Sequence, residues 1–313
     1  MTLSEDSHHW HIAGNGAIGM AMAWHIYHAK QHVCLLSREE VPNPLKLTYR
    51  SEELESQWEC PTRSRPDDGP MISRLVVATK AHAVAQAIET WAPALTEDAR
   101  LYFMQNGREF LPDSLPEKWT ISYIVNDGFA AYRFDNTTVV QTAHKPILVG
   151  DARGGETPTP QVAADLKLLA EAGIELRWTD DIDRERWRKL AVNALINPLT
   201  VIFDCHNGGL RTHPEAIELR NAMRGEIEAL FAALQLDSNE TLLHEHTEDV
   251  IKATHENISS MLQDFRHGRD NNELPYIMRP LIHAADAHGI DVPTIRTVDL
   301  RAQACFDKAR SSS

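Results

Sequence analysis

Cysteine is scarce in this chain, and its spacing matches neither a disulfide framework nor a zinc site. The 313 residues contain four cysteines, at Cys34, Cys60, Cys205 and Cys305. None of them belongs to a CxxC or CxxH pair, the close spacing that structural metal sites need. His244 and His246 are two residues apart, so they do not share one face of a helix. We therefore expect four reduced thiols and no bound metal.

Long apolar runs and an excess of basic residues are also missing. No segment approaches the roughly 18 apolar residues of a membrane-spanning helix, and the polar stretch Met1–His9 lacks the apolar core of a secretory signal. The 31 Lys and Arg are outnumbered by 45 Asp and Glu, for a net charge of -14. Nucleic acids and anionic membranes need a basic protein surface. We therefore expect a soluble, cytoplasmic protein that binds neither nucleic acid nor membrane.

What is present in the first half is an alternation of short apolar runs and helical segments. Strands are predicted at 9–13, 32–36, 74–79, 101–105 and 174–178, with helices that include 81–91 and 162–172. Helices between buried strands favour right-handed crossovers and a parallel, doubly wound sheet. Residues 40–70 are polar and contain five prolines, so loops with at most short strands are predicted there.

From residue 183 onward nearly every segment has helical periodicity, interrupted at glycine-containing turns. The sequence therefore predicts an α/β protein with an N-terminal Rossmann-type domain over 1–181 and an all-α domain over 182–313. At this length, two domains are the expected arrangement.

A glycine motif follows the first predicted strand and opens the first predicted helix. It comprises Gly14, Asn15, Gly16, Ala17, Ile18 and Gly19. In a GxGxxG turn the glycines allow a tight turn, close approach of a pyrophosphate and tight packing of helix on strand, and the helix N-terminus attracts the anion. GxGxxG by itself is a weak signal, but its position at the first strand-to-helix junction predicts a nicotinamide dinucleotide site.

The end of the second predicted strand bears on the choice between NADPH and NADH. Arg38 stands where a cation would bind the 2′-phosphate of NADPH. Glu39 and Glu40 follow directly, and an acidic residue there would instead bind the ribose hydroxyls of NADH. We favour NADPH.

The segment 186–200 carries a polar stripe on an otherwise apolar helix. Lys189, Asn193 and Asn197 are spaced i, i+4 and i+8, and so share one face. Buried amide and ammonium groups need partners. The stripe is therefore either a seam bonded to neighbouring helices or the wall of a substrate site, with Lys189 as a general acid.

A second predicted helix, 256–264, groups Asn257, Ser260, Met261 and Asp264 on one face. Taken alone, these positions are typical of surface polar residues.

Together these blocks resemble the ketopantoate reductase (2-dehydropantoate 2-reductase) family from about Trp10 to Pro293. The similar blocks, in order, are Gly14–Gly19, Thr79–Ala81, Gln105–Gly107, Trp187–Thr200, Asn207–Arg211 and Asn257–Asp264. The blocks of the second half are the more specific, because GxGxxG is common to many dehydrogenases.

The resemblance implies NADPH-dependent reduction of ketopantoate to pantoate, a step of pantothenate biosynthesis. It implies that Lys189 is the catalytic acid and that Glu273 positions the ligand hydroxyl. It also implies Arg38 at the 2′-phosphate, and Lys80 and Asn106 near nicotinamide and substrate. The implied substrate-binding residues are Asn106, Asn193, Asn197, Asn257 and Ser260. The expected small-molecule partner is a 2-keto acid substrate. A homodimer is the oligomeric state that we consider.

The chain departs from the family pattern before Glu273. Four residues, 269–272, follow Gly268 before Glu273, one more than is usual, and Pro275 replaces the usual aspartate. Either Glu273 keeps the position of the family carboxylate or Asn272 takes it. Two alternative functions stay open at this point: a related NADP-dependent 2-hydroxy acid dehydrogenase acting on another keto acid, and a catalytically silent NADP-binding sensor.

Overall fold

The computed structural model describes residues 9–112, 114–236, 240–269 and 272–311. They form two compact units. The first comprises the described residues of 9–105 and 111–183, and the second comprises 106–110 and the described residues of 184–311. The short segment 106–110 thus belongs to the second unit although it lies between two strands of the first.

The first unit contains the predicted α/β elements. Its strands are β1 (Trp10–Ala13), β2 (Val33–Leu36), β3 (Leu45–Arg50), β4 (Glu55–Cys60), β5 (Thr62–Arg63), β6 (Ile72–Val77), β7 (Leu95–Phe103), β8 (Thr120–Val125), β9 (Phe129–Arg133), β10 (Thr138–His144), β11 (Ile147–Asp151) and β12 (Leu176–Trp178). Its helices are α1 (Ala17–His28), α2 (Val84–Trp91) and α3 (Pro160–Glu171).

The main sheet is wound as predicted, with one exception to its parallel pairing. Its strand order is β12-β11-β8-β7-β6-β1-β2-β5. All neighbours are parallel except β8 and β11, which run antiparallel. The predicted doubly wound, mainly parallel sheet is therefore confirmed. Its one antiparallel pair arises because β8 and β11 have no crossover helix between them and are linked instead through β9 and β10.

A second sheet, in the order β4-β3-β10-β9, was not predicted. Two of its strands, β3 and β4, lie in the region 40–70, for which loops with at most short strands were predicted, and each is six residues long. Its core-facing residues pack on α1, where the rings of Trp24 and Tyr49 stack 3.7 Å apart. Because α1 also packs on β1 and β2, residues from Gly19 to Ile26 are buried on every side of the helix.

A buried carboxylate fixes α3 to the main sheet. Asp165 is fully buried, and its carboxylate lies 2.5 Å from Arg74 on β6, 2.5 Å from Arg100 on β7 and 2.7 Å from the hydroxyl of Tyr102. Burial and the adjacent Asp165 carboxylate raise the pKa of Tyr102. The phenol therefore stays protonated and serves as a donor.

The second unit contains helices and their connections and, among its described residues, no strand, as predicted. Its helices are α4 (Ile182–Ile202, from Arg184 onward), α5 (Pro214–Ala233), α6 (Glu240–Ala253), α7 (Ser260–Arg266), α8 (Leu274–His288) and α9 (Pro293–Ser311). A short 3-10 helix, Asn207–Arg211, joins α4 to α5. Their shared core is built from apolar side chains such as Leu195, Met223, Ile227 and Leu281. None of the helices in the described residues is long and apolar enough to cross a membrane.

Candidate active site

The glycine turn lies directly after β1 in the first unit. Gly14 has a φ of +115°, and a Cβ on it would lie 2.8 Å from the backbone of Ala78 and Thr79. A Cβ on Gly19 would lie 2.0 Å from the carbonyl oxygen of Gly14. A Cβ on Gly16, the N-cap of α1, would meet nothing within 4 Å. Gly14 therefore permits the tight turn, and Gly19 permits the close packing of α1 on that turn. Gly16 leaves open space at the N-terminus of α1, which fits a pyrophosphate.

Arg38 follows β2 and keeps most of its guanidinium exposed. Its Nη1 lies 3.4 Å from Oε1 of Gln86, and its Nη2 lies 3.8 Å from Glu39. Glu40 points to Arg65, with an oxygen 2.6 Å from Nη2. Arg38 therefore offers donors to an anion, while Glu40 is already paired with a cation.

Lys80 lies at the same edge of the sheet as the glycine turn and Arg38. It caps the 3-10 helix Ala81–Ala83 that follows β6, and β6, β1 and β2 are adjacent parallel strands. The amide of Gln105 donates to the carbonyls of Val77 and Thr79 at 2.8 and 2.9 Å. This edge, at the carboxyl ends of parallel strands, is where doubly wound sheets bind nucleotides. Asn15 lies within the turn, and Ala17 and Ile18 form the first residues of α1.

The stripe on α4 is the partly exposed face of a buried helix. Lys189 and Asn193 are half-buried and Asn197 is buried, whereas the intervening Leu190 and Ala194 are fully buried. The polar face predicted from the spacing is therefore present in the second unit.

Glu273 and Asn106 meet in the second unit. Nδ2 of Asn106 lies 3.3 Å from Oε2 of Glu273, whose side chain is buried. Oδ1 of Asn272 instead accepts a hydrogen bond from the backbone N–H of Leu274 at 2.9 Å. Glu273 and not Asn272 therefore presents its side chain to Asn106. Residues 270 and 271 of the lengthened segment lie outside the described part of the chain.

Ser260 is held close to the end of α4 by its neighbour in sequence. Ser259 caps α7, accepting from the N–H of Leu262 at 3.0 Å. Its hydroxyl also lies 2.6 Å from that of Thr200, which donates to the carbonyl of Asn197 at 2.7 Å. This chain of contacts relates the partly buried Ser260 to the Asn197 end of the stripe.

Asn257 lies outside α7, which corrects the predicted helix over 256–264. Helix α7 begins only at Ser260, because the side chain of Ser259 caps it. Asn257 is exposed, and its carbonyl accepts from the N–H of Asn207 at 2.9 Å. Met261 and Asp264, expected as surface residues, are buried, and Arg269 pairs with Asp264 at 2.7 Å.

Several residues that shape this site were missed from the sequence. They are Thr200 on α4 and Ser259 at the start of α7, Gly107 directly after Asn106, and Tyr276 and Pro280 on α8. The one signal for them in the sequence was Pro280, the seventh residue of α8. Proline in a helix interior leaves the carbonyl four residues earlier without its helical donor, so that carbonyl can bond another segment.

Two buried histidines lie in the first unit away from the sheet edge. Burial lowers the pKa of His25 to about 4, against an opposing hydrogen bond of 2.8 Å to Gln141. Burial, and next the charge of Arg63, lower the pKa of His11 to about 4. Both rings are therefore neutral near pH 7. Across the described residues there is no group of three or more His, Cys, Asp or Glu that could hold a metal ion.

Two family models match successive parts of the chain. The model described as ketopantoate reductase PanE/ApbA matches residues 10–154, and the one described as ketopantoate reductase PanE/ApbA C terminal matches residues 181–299.

Curated relatives agree with this match. The 2-dehydropantoate 2-reductase of Vibrio cholerae serotype O1 is 30% identical over 292 residues, covering 90% of this chain and 92% of that protein. That of Escherichia coli O157:H7 is 34% identical over 238 residues, covering 74% of each.

Solved structures share the fold. The PanE/ApbA family ketopantoate reductase from Ralstonia eutropha JMP134 gives a TM-score of 0.84 at 20% identity, covering 96% of this chain and 99% of that one. D-mandelate dehydrogenase with NADH and anilino(oxo)acetate gives a TM-score of 0.81 at 18% identity, covering 96% and 99%. On the two family matches and the curated relatives, the chain belongs to the ketopantoate reductase (PanE/ApbA) family.

Proposed function

We propose that this protein reduces 2-dehydropantoate to pantoate with NADPH, a step of pantothenate biosynthesis. Family membership supports the reaction, since the curated relatives at 30–34% identity are named 2-dehydropantoate 2-reductase. The observation that carries the proposal is the Asn106–Glu273 contact in the same helical unit as the Lys189 stripe.

Lys189 is proposed as the proton donor. The bound cofactor supplies the hydride that the keto carbon receives. As negative charge develops on the carbonyl oxygen, Nζ of Lys189 donates a proton to it, and the product is the 2-hydroxy acid. The charge on the oxygen is thus neutralised in the same step.

The polar side chains around Lys189 are proposed to orient the substrate. Asn193 and Asn197 share its face of α4, so their amides can bond substrate oxygens beside the reacting carbonyl. Ser260 and Asn257 are proposed to add donors from the start of α7 and the residues before it. The carboxylate of Glu273 accepts a hydrogen bond from a hydroxyl of the ligand, and the amide of Asn106 keeps that carboxylate oriented.

The cofactor is proposed to bind at the sheet edge of the first unit. The glycine turn and the N-terminus of α1, with no acidic residue in its first turn, suit the pyrophosphate. Arg38 is proposed to bind the 2′-phosphate, which favours NADPH over NADH. Lys80 is proposed to lie near the nicotinamide end. A homodimer stays a prediction, to be checked by light scattering.

The experiment is steady-state oxidation of NADPH with ketopantoate and a panel of other 2-keto acids. We expect ketopantoate to be the best substrate. Lys189→Ala should lower kcat by about two to four orders of magnitude while leaving the NADPH dissociation constant near that of the wild type. Lys252→Ala, which removes an exposed lysine of the same unit, is the matched control and should turn over normally.

Other results would point elsewhere. A preference for another keto acid would assign a related 2-hydroxy acid dehydrogenase. Binding of NADPH with no turnover of any keto acid would indicate the silent sensor. Near-normal kcat in Lys189→Ala would remove this lysine as the acid.

A further inference from the structure

Helix α8 contains a proline at an interior position. Pro280 lies six residues after the first residue of the helix, Leu274. Proline has no N–H, so the carbonyl of Tyr276, four residues earlier, cannot receive its usual helical hydrogen bond. Backbone carbonyls inside folded proteins are mostly hydrogen-bonded, so this one is open to a donor from elsewhere in the chain.

That donor comes from the segment Asn106–Phe110. The backbone N–H of Arg108 donates to the carbonyl of Tyr276 at 2.9 Å. Gly107 makes the approach possible, because it has a φ of +86° and a Cβ on it would lie 2.3 Å from the same oxygen. The freed carbonyl is thus the docking point of the segment on α8.

Two side-chain contacts hold the segment beyond that bond. The guanidinium of Arg108 lies 4.3 Å from the ring centroid of Trp187 on α4. Glu109 pairs with His283 on α8 at 2.9 Å. The segment is therefore fixed to α4, which carries Lys189, and to α8, which begins directly after Glu273.

Tyr276 is bonded through its main chain to both sides of the Asn106–Glu273 contact. Its N–H donates to the carbonyl of Glu273 at 3.0 Å, and its carbonyl accepts from Arg108, two residues beyond Asn106. The positions of the amide and of the carboxylate are thus set relative to one residue of α8, Tyr276.

We propose that Pro280 is a positioning residue for the active site. By leaving the Tyr276 carbonyl without a helical donor, Pro280 creates the acceptor that docks Asn106–Phe110 and sets the amide of Asn106 against Glu273. This inference rests on the roles proposed above for Asn106 and Glu273.

The first test is a double-mutant cycle on kcat for ketopantoate. In Pro280→Ala the new N–H competes with that of Arg108 for the Tyr276 carbonyl, and we expect kcat to fall about tenfold with NADPH affinity unchanged. Gly107→Ala should act in the same direction. In an Asn106→Ala background, Pro280→Ala should change kcat by less than about twofold. An unchanged kcat, or the same factor in both backgrounds, overturns the proposal.

A stability measurement separates positioning from simple folding. An interior proline destabilises a helix, so Pro280→Ala should unfold at the same temperature as the wild type or higher, and its lost activity then comes from positioning. Pro293→Ala is the control, because Pro293 is the first residue of α9. A new N–H at that position competes for no carbonyl that docks Asn106–Phe110, so kcat should be unchanged. If Pro280→Ala lowered kcat and also unfolded at a clearly lower temperature than the wild type, the positioning role would be overturned.

The second test does not depend on turnover. Hydrogen exchange of the Arg108 amide, followed by mass spectrometry, should be about tenfold faster in Pro280→Ala than in the wild type. If the wild type binds NADPH but does not reduce ketopantoate, the proposed function fails while faster exchange still supports the docking. Equal exchange in both proteins overturns the docking.

Discussion

Asn106 donates through Nδ2 to Oε2 of Glu273 over 3.3 Å, joining two residues 167 positions apart in the chain. The segment before Glu273 is one residue longer than is usual in the family, so either Glu273 or Asn272 could occupy the position of the family carboxylate. The contact favours Glu273. Asn272, which precedes the N-cap residue Glu273, uses its side chain to bond the first N–H of α8, so its role is to stabilise the start of that helix. Glu273, one position later, is left to face Asn106.

This division of roles predicts opposite effects for two adjacent substitutions. Glu273→Ala should lower kcat for ketopantoate by at least about tenfold with little change in stability. Asn272→Ala should cost about 1 kcal/mol in the free energy of unfolding and leave kcat within about twofold. Steady-state kinetics and urea unfolding on the two variants measure both quantities. If Asn272→Ala abolished turnover and Glu273→Ala did not, the assignment would be reversed.

The setting of Arg38 predicts the cofactor preference. Arg38→Ala should weaken NADPH binding by about 2 kcal/mol, or about 30-fold, because a charge-assisted hydrogen bond to the 2′-phosphate is lost. NADH has no such phosphate, so its affinity should barely change. Fluorescence titration with both cofactors measures this, and Arg177→Ala, at another exposed arginine of the same unit, is the control. Equal weakening for both cofactors would exclude the role.

Asp165 is expected to be a large contributor to the stability of the first unit. Asp165→Asn would leave Arg74 and Arg100 in the interior without their counter-charge, which costs about 3–5 kcal/mol when a buried pair is broken. Glu171→Gln, on the exposed face of the same helix, should change stability by less than about 0.5 kcal/mol. Urea unfolding compares the two, and equal stability would contradict the buried network.

The two buried histidines predict acid sensitivity. His11 and His25 have a pKa of about 4 when folded and about 6.5 when unfolded. Between pH 4 and pH 6.5 the unfolded chain binds more protons at these rings than the folded chain does. The free energy of unfolding is therefore at its full value above about pH 6.5 and decreases as the pH falls toward about 4. Each ring contributes at most roughly 3 kcal/mol.

The measurement is the urea midpoint as a function of pH. Replacing His25 by phenylalanine should flatten the dependence in this window, whatever it does to stability at neutral pH. His246→Gln, at an exposed histidine, should leave the slope unchanged. A slope that is the same in all three proteins would show that His25 does not titrate as inferred.

Features set by neighbouring residues could be predicted from the sequence alone. The glycine turn, the strand-helix alternation and the Lys189-Asn193-Asn197 stripe all depend on periodicity and backbone conformation over a few residues. The same holds for the helical second unit, whose apolar faces repeat along each segment. These local constraints act whatever the rest of the chain does.

Only the tertiary structure decided what depends on distant partners. β3 is six residues of alternating apolar and polar character beside two prolines, and it forms a strand because β4 and β10 supply its hydrogen bonds. Helix α7 begins at Ser260 because Ser259 turns its hydroxyl to Leu262 and to Thr200 on α4. Asn106 faces Glu273 because a carbonyl freed by Pro280 is bonded by a segment from before β8. Hydrogen-bonding groups left open by one stretch of chain are satisfied by another, and no local pattern specifies which one.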